Sequence, residues 1–311
     1  MSDSSIIWRD LFTKKMLICV FIGFTSGLPF FIIISLLPAW LMNSGLELKA
    51  IALFSFIQLP YVLKFLWAPL FDGYSFSMGR RRGWLIIFQV LLLVSISMAG
   101  LLDPKSQIMT VAIISTAIAF FSASQDAVID AYRRELLLDN ELGLGTAIHV
   151  NAYKFSQLIP GSLALILADI FAWELVFFIT GLFMIPGIIL TILIKEPLLK
   201  VIPPKTIKEA VIEPFVEFIN RKGIKEAILV LLFIFLYKIG DSMATALATP
   251  FFMDLGFSMT EIGVIAKTVG LWASIVGGIV GGILMIKIGI NRALWIFGFM
   301  QMFATLSFAW L

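Results

Sequence analysis

The chain has 311 residues, of which 60% are hydrophobic and 14% charged, where a soluble domain carries about 45–50% and about 25%. With 29 Phe, 8 Trp and a mean hydropathy of +1.02, the apolar side chains exceed what a water-surrounded core can hold, so most of the length must meet lipid. Soluble-enzyme, disordered and disulfide-rich secreted classes are thereby excluded, the last also because Cys19 is the only cysteine.

A single cysteine leaves no cluster to hold a metal, and the one histidine, His149, reads as a packed or locally hydrogen-bonded residue, with proton handling as the alternative. Arg9, Lys14 and Lys15 followed by an apolar run resemble the start of a signal peptide. The run 16–42 is too long for that and lacks a small-residue exit, so it reads as an uncleaved first span. In chain order, nine apolar runs of about 20 residues follow the spanning pattern: 16–42, 50–71, 84–102, 107–132, 145–168, 174–194, 227–253, 260–286 and 293–311. The connections are short and predict no extramembrane domain. One, 195–226, has internal pattern: Thr206 and Glu209 fit a capping box, and Ile207, Val211, Phe215 and Phe218 share a face, which predicts an amphipathic helix at the membrane surface.

Basic residues are retained on the cytoplasmic side. With the N-terminus placed there, the cytoplasmic segments hold 17 of the 23 Lys and Arg residues, while Lys49 and Lys105 fall outside. The chain also repeats itself at an offset of 211: Gly45 with Gly256, Ile51 with Ile262, Arg81 with Arg292, Trp84 with Trp295 and Phe88 with Phe299. Such a parallel repeat predicts six helices per half. The expected division is a six-helix bundle over 1–194, a cytoplasmic linker over 195–226 and a partial bundle of three helices over 227–311, three short of a second six.

Charges within spans are expensive and mark interiors or pathways. Lys64, Lys154, Lys238 and Lys267 are the basic ones, and Asp126, Asp130 and Asp241 the acidic ones. Lys238 and Asp241 share a helical face, either as a neutralised structural pair or as a pair that opens during work. Asp126 and Asp130 share a face with Ser122, beside Gln125. Asp130 is expected to bridge to Arg133 or Arg134 nearby, and Asp126 to handle a proton or substrate with Lys154 as its partner and Gln157 adding an amide. Gly277, Gly278, Gly281 and Gly282 carry the spacing of close helix packing. Pro29, Pro38 and Pro250 interrupt related spans, either beside a central binding site or as packing kinks.

Between the second and third spans, Ala68-Pro-Leu-Phe-Asp72 and Gly79-Arg80-Arg81-Arg82 resemble the signature loop of the major facilitator superfamily, Gly-x-x-x-Asp-Arg-x-Gly-Arg-Arg, with Ala68 and Gly73 as departures. Adding Lys64 to Asp72, Ser122-Ala-Ser-Gln-Asp126-Ala-Val-Ile-Asp130 and Tyr237-Lys-Ile-Gly-Asp241, the pattern resembles the AmpG muropeptide permeases over essentially the whole chain. The resemblance implies an all-α polytopic membrane protein with major facilitator-like bundles. It implies a carrier of the bacterial inner membrane, N-terminus cytoplasmic, that imports anhydro-muropeptides for peptidoglycan recycling with protons as coupling ion. It also implies twelve or more helices, so the nine spans are the main departure.

On this reading Asp126, Lys154, Gln157, Lys238, Asp241, Gln125, Lys64 and Lys267 form the substrate and proton pathway, while Asp72, Arg80, Arg81, Arg82 and Asp130 form the conformational lock. The expected partners are the lipid bilayer and a small glycopeptide, with no nucleic acid, no metal and no cofactor, and a monomer if full length. The alternatives are a truncated remnant or fragment of such a carrier, or a related carrier for another substrate such as acetyl-CoA. Neither a nucleophile-base pair nor a phosphate loop is present to support an enzyme.

Overall fold

Thr13 opens the first helix as short hydroxyl residues do, its Oγ1 accepting the Met16 backbone N–H at 3.3 Å. The computed structural model describes residues 13–139, 141–197, 216, 219–220, 223–288 and 290–307. Among the described residues nine helical spans follow one another: α1 (Lys14–Asn43), α2 (Leu48–Leu66), α3 (Arg80–Ala99), α4 (Ile108–Leu136), α5 (Leu142–Ser156, Ile159–Leu163 and Ala164–Ala168), α6 (Trp173–Leu193), α7 (Ile224–Asp254), α8 (Met259–Glu261, Ile262–Val269 and Gly270–Ile288) and α9 (Ile290–Ser307). As far as it is described, each predicted run thus falls on a helix, and there is no strand among the described residues. By length and composition, α1, α2, α3, α4, α6 and Met259–Gly277 of α8 are able to cross a membrane. The face formed by Ile207, Val211, Phe215 and Phe218, and the Thr206 and Glu209 box, lie outside the described residues.

The repeat is visible in local geometry. Gly45 and Gly256 both adopt positive φ, +79° and +91°, a conformation that glycine enters without a Cβ penalty. Around the first, Gly45 N–H donates to Met42 O and Leu46 N–H to Leu41 O. Around the second, Gly256 N–H donates to Met253 O and Phe257 N–H to Phe252 O, the same pair of helix-ending bonds 211 residues on. The Trp84 and Phe88 rings stack at 5.6 Å, and those of Trp295 and Phe299 at 6.1 Å.

α1 packs against α5, α4 and α6, α3 against α4 and α6, and α2 against α4. The close approach of α1 to α5 is made at Gly23 and Gly27, one helical turn apart. A Cβ at Gly23 would overlap the His149 carbonyl, and one at Gly27 the Ser156 Oγ and Tyr153 carbonyl. Of the four glycines expected to do this, Gly277 has nothing within 4 Å of a built Cβ and Gly281 meets only the Phe297 ring, at 3.8 Å, while the surroundings of Gly278 and Gly282 lie outside the described residues. The spacing is the same, but α8 presents those two positions to no neighbouring backbone. Gly27→Leu should therefore destabilise the bundle by about 1–3 kcal/mol by forcing α1 from α5. Gly277→Ala should leave the melting temperature in detergent unchanged, and equal melting of the two variants would refute the assignment.

Pro29 lies inside α1, and a π-helical turn, Ile32–Leu36, follows it. Similar turns occur at Ile159–Leu163 of α5, with Pro160, and at Ile262–Val269 of α8. These irregular stretches of α1 and α5, and of α5 and α8, touch one another.

The last three helices meet the first six mainly at the end that carries the Gly45 and Gly256 turns. There Met259 and Ile262 share one buried cluster with Trp40 and Ile51. Along the seam of α5 and α8, Ser162 Oγ donates to Gly263 O at 2.7 Å, and the Thr260 N–H donates to Asp169 Oδ2 at 2.7 Å. Ser258 and Glu261 cap the start of α8 reciprocally, completing its first turn.

Candidate functional site: a charged cavity among the helices

Four helices of the first bundle and α8 line an open cavity of about 640 Å³. Lys64 of α2, Asp126 and Asp130 of α4, and Lys154 and Gln157 of α5 line it, so four of the eight pathway residues expected from sequence converge on one space, joined by Asp130, which was expected in the conformational lock. Ser26, Tyr153 and Ser274 line it as well, residues that carried no signal in the sequence, and His149, the one histidine, stands in the same wall. Lys267 lies off the cavity, its stem approaching Gly161 across the α5 and α8 seam. The side chains of Lys238 and Asp241 lie outside the described residues.

Asp126 does not pair with Lys154. Its Oδ1 instead accepts the Ser26 hydroxyl at 2.6 Å, because α1 brings Ser26 directly against α4. Lys154 Nζ reaches across the seam and donates to Ser274 Oγ at 3.3 Å. Asp130 makes the expected bridge to Arg133, 3.0 Å, and also faces Lys64 at 3.9 Å, so it belongs to the cavity wall as well as to the helix end.

Gln125 sits apart from the cavity, fully buried between α1 and α4, and its Nε2 donates to the Thr25 carbonyl at 2.9 Å. Thr25 is four residues before Pro29, whose ring nitrogen has no hydrogen to return to that carbonyl. Gln125 therefore satisfies the acceptor that the proline leaves open, which a buried backbone carbonyl requires. The neighbouring contact, Ser26 to Asp126, uses the next residue on each helix, so the proline break and the cavity carboxylate are fixed by one pair of adjacent contacts.

At the end carrying the basic loops, Asp72 forms an ion pair with Arg81, and Arg80 stands 3.6 Å from the same carboxylate. Glu135 of α4 binds both arginines, at 2.7 Å to Arg80 and 2.8 Å to Arg81. Glu196 accepts the Arg81 and Arg82 backbone N–H groups, at 2.7 and 3.1 Å, where Gly79 has no side chain to cap α3. Arg82 in turn donates to the Thr191 and Ile192 carbonyls in the last turn of α6. Of the expected lock residues Asp72, Arg80 and Arg81 come together, while the Arg82 side chain turns to the end of α6 and Asp130 bonds elsewhere. Glu135 and Glu196 were not anticipated.

Residues 19–311 match the Major Facilitator Superfamily. The chain belongs to that superfamily. Among relatives, an uncharacterized protein of Haemophilus influenzae is 50% identical over 99% of this chain and 73% of its own length. The Anhydromuropeptide permease of Escherichia coli is 43% identical over 91% of this chain, which spans 58% of that protein's length. The second agrees with the resemblance to AmpG permeases. The crystal structure of a D-xylose-proton symporter shares the fold, with a TM-score of 0.59 at 15% identity, covering 88% of this chain and 68% of the symporter. As a major facilitator protein with several apolar helices able to cross a bilayer, the chain is a multi-pass membrane protein. Its named relatives are permeases and transporters, outside the enzyme classes.

Proposed function

We propose that the chain works as a proton-coupled carrier that brings anhydromuropeptides across the bacterial inner membrane into the cytoplasm. The observation that carries the reading is the cavity of about 640 Å³, where Asp126, Asp130, Lys64 and Lys154 face one space in a bundle whose α1, α2 and α4 are apolar enough to cross a membrane. Identity of 43% to a protein named Anhydromuropeptide permease supports the choice of substrate. The concentration of basic residues at one end supports a cytoplasmic N-terminus.

In this reading the bundle over 1–194 and the helices after 227 rock about the α5 and α8 seam, with 195–226 as the cytoplasmic linker and the monomer as the working unit. The contacts at the Gly45 and Gly256 end then close the far side, leaving the cavity in communication with the cytoplasm. Asp126 exchanges the coupled proton, with Ser26 as its hydrogen-bond donor in the resting site. Lys64, Lys154 and Gln157 meet the polar groups of the substrate, and Lys238, Asp241 and Lys267 contribute from the other half. Asp72 with Arg80, Arg81 and Arg82 locks the cytoplasmic ends of α3 and α4. No metal or organic cofactor enters the scheme.

Counterflow in proteoliposomes tests the substrate without needing a proton gradient. Vesicles preloaded with unlabelled anhydromuropeptide should accumulate the labelled compound transiently, and external acetyl-CoA should not compete. Competition by acetyl-CoA, or counterflow of acetyl-CoA alone, would contradict the assignment.

A further inference from the structure

We infer that Lys154 anchors a carboxylate of the transported molecule; this rests on the carrier reading above and names the chemical group that the cavity selects. Among the described residues, each other charge on the cavity wall already has a fitting partner. Asp126 holds the Ser26 hydroxyl, and Asp130 holds Arg133 with Lys64 beside it. Lys154 differs: its ammonium meets no carboxylate at ion-pair distance among the described residues, and its resident acceptor is the neutral Ser274 hydroxyl at 3.3 Å.

That contact is long for an ammonium donor, since charge-assisted bonds to carboxylates run shorter and are roughly twice as strong as neutral ones. A ligand carboxylate entering the cavity therefore displaces Ser274 with a net gain. Lysine suits this task, because its three rotatable donors accept a carboxylate oxygen without the planar fork that a fixed bidentate partner needs. Tyr153 and Gln157 stand in the same wall and leave a hydroxyl and an amide for the ligand's neutral groups. Lys154 belongs to α5 and Ser274 to α8, so the exchange also removes a polar contact across the seam. Occupancy of the cavity and the fit of the two halves thereby become linked.

The test is binding to the full chain in lipid nanodiscs, by isothermal titration, of an anhydromuropeptide with free carboxylates and of the same molecule with its carboxylates converted to amides. Wild type should prefer the acid by about 10- to 100-fold, the range of a hydrogen bond to a charged group. Lys154→Met should bind acid and amide alike, and Lys154→Arg should retain most of the preference. Equal binding of acid and amide by wild type overturns the proposal and leaves the carrier reading standing. A preference that survives in Lys154→Met overturns it too, and does so on a variant shown by its binding to be folded. Binding of neither compound overturns the carrier reading, and the proposal falls with it.

Discussion

Asp126→Asn is expected to abolish proton-driven accumulation of anhydromuropeptide, reducing it to the level of protein-free liposomes, while counterflow between equal pH compartments persists. The substitution keeps the shape and the hydrogen-bonding capacity toward the Ser26 hydroxyl, 2.6 Å from Asp126 Oδ1, and removes only the exchangeable proton. A carrier that couples through this carboxylate then still binds and rocks, but no longer needs or moves a proton. Loss of both activities would mean that Asp126 serves substrate binding or folding. Retention of both would remove it from the coupling mechanism.

The second large effect is on stability. Glu135→Ala should destabilise the protein by about 3 kcal/mol, the low end of the range for breaking a buried ion pair, because Asp72 remains to neutralise part of the charge. Glu135 joins Arg80 and Arg81 at 2.7 and 2.8 Å, and the Arg81 side chain is only 6% exposed. Removing the carboxylate leaves two guanidinium groups facing one acid at the ends of α3 and α4. Glu135→Gln retains an acceptor for one of them and should lose less. Thermal unfolding in nanodiscs reads both variants, and an Ala variant that melts with wild type would show that the cluster carries no stability.

The helices, the repeat and much of the cavity were legible in the residues themselves, and for physical reasons. Apolar length forces helices in lipid, and a turn that needs positive φ leaves a glycine, so Gly45 and Gly256 marked the repeat. Charges in apolar spans must face an interior, which is why Lys64, Asp126, Asp130, Lys154 and Gln157 meet in one cavity. Asp130 with Arg133 followed from the three-residue spacing on one helix.

Contacts between distant elements were not legible. The carbonyl opened by Pro29 is visible in the sequence, but that Gln125, 100 residues away, fills it depends on how α1 meets α4. The same packing gives Asp126 to Ser26 in place of Lys154. Glu135 and Glu196 find their arginine partners only when α4 and α6 bring them to the start of α3. Glycine spacing alone did not separate Gly23 and Gly27, which meet backbone, from Gly277 and Gly281, which meet none.

Proton entry linked to substrate tests the central claim most directly. Proteoliposomes holding the full chain and a trapped pH-sensitive dye, with no imposed gradient, receive anhydromuropeptide from outside. The account predicts acidification of the interior that depends on the peptide, is cancelled by a protonophore and is missing from Asp126→Asn vesicles. Accumulation of the labelled peptide with no change in internal pH would contradict it.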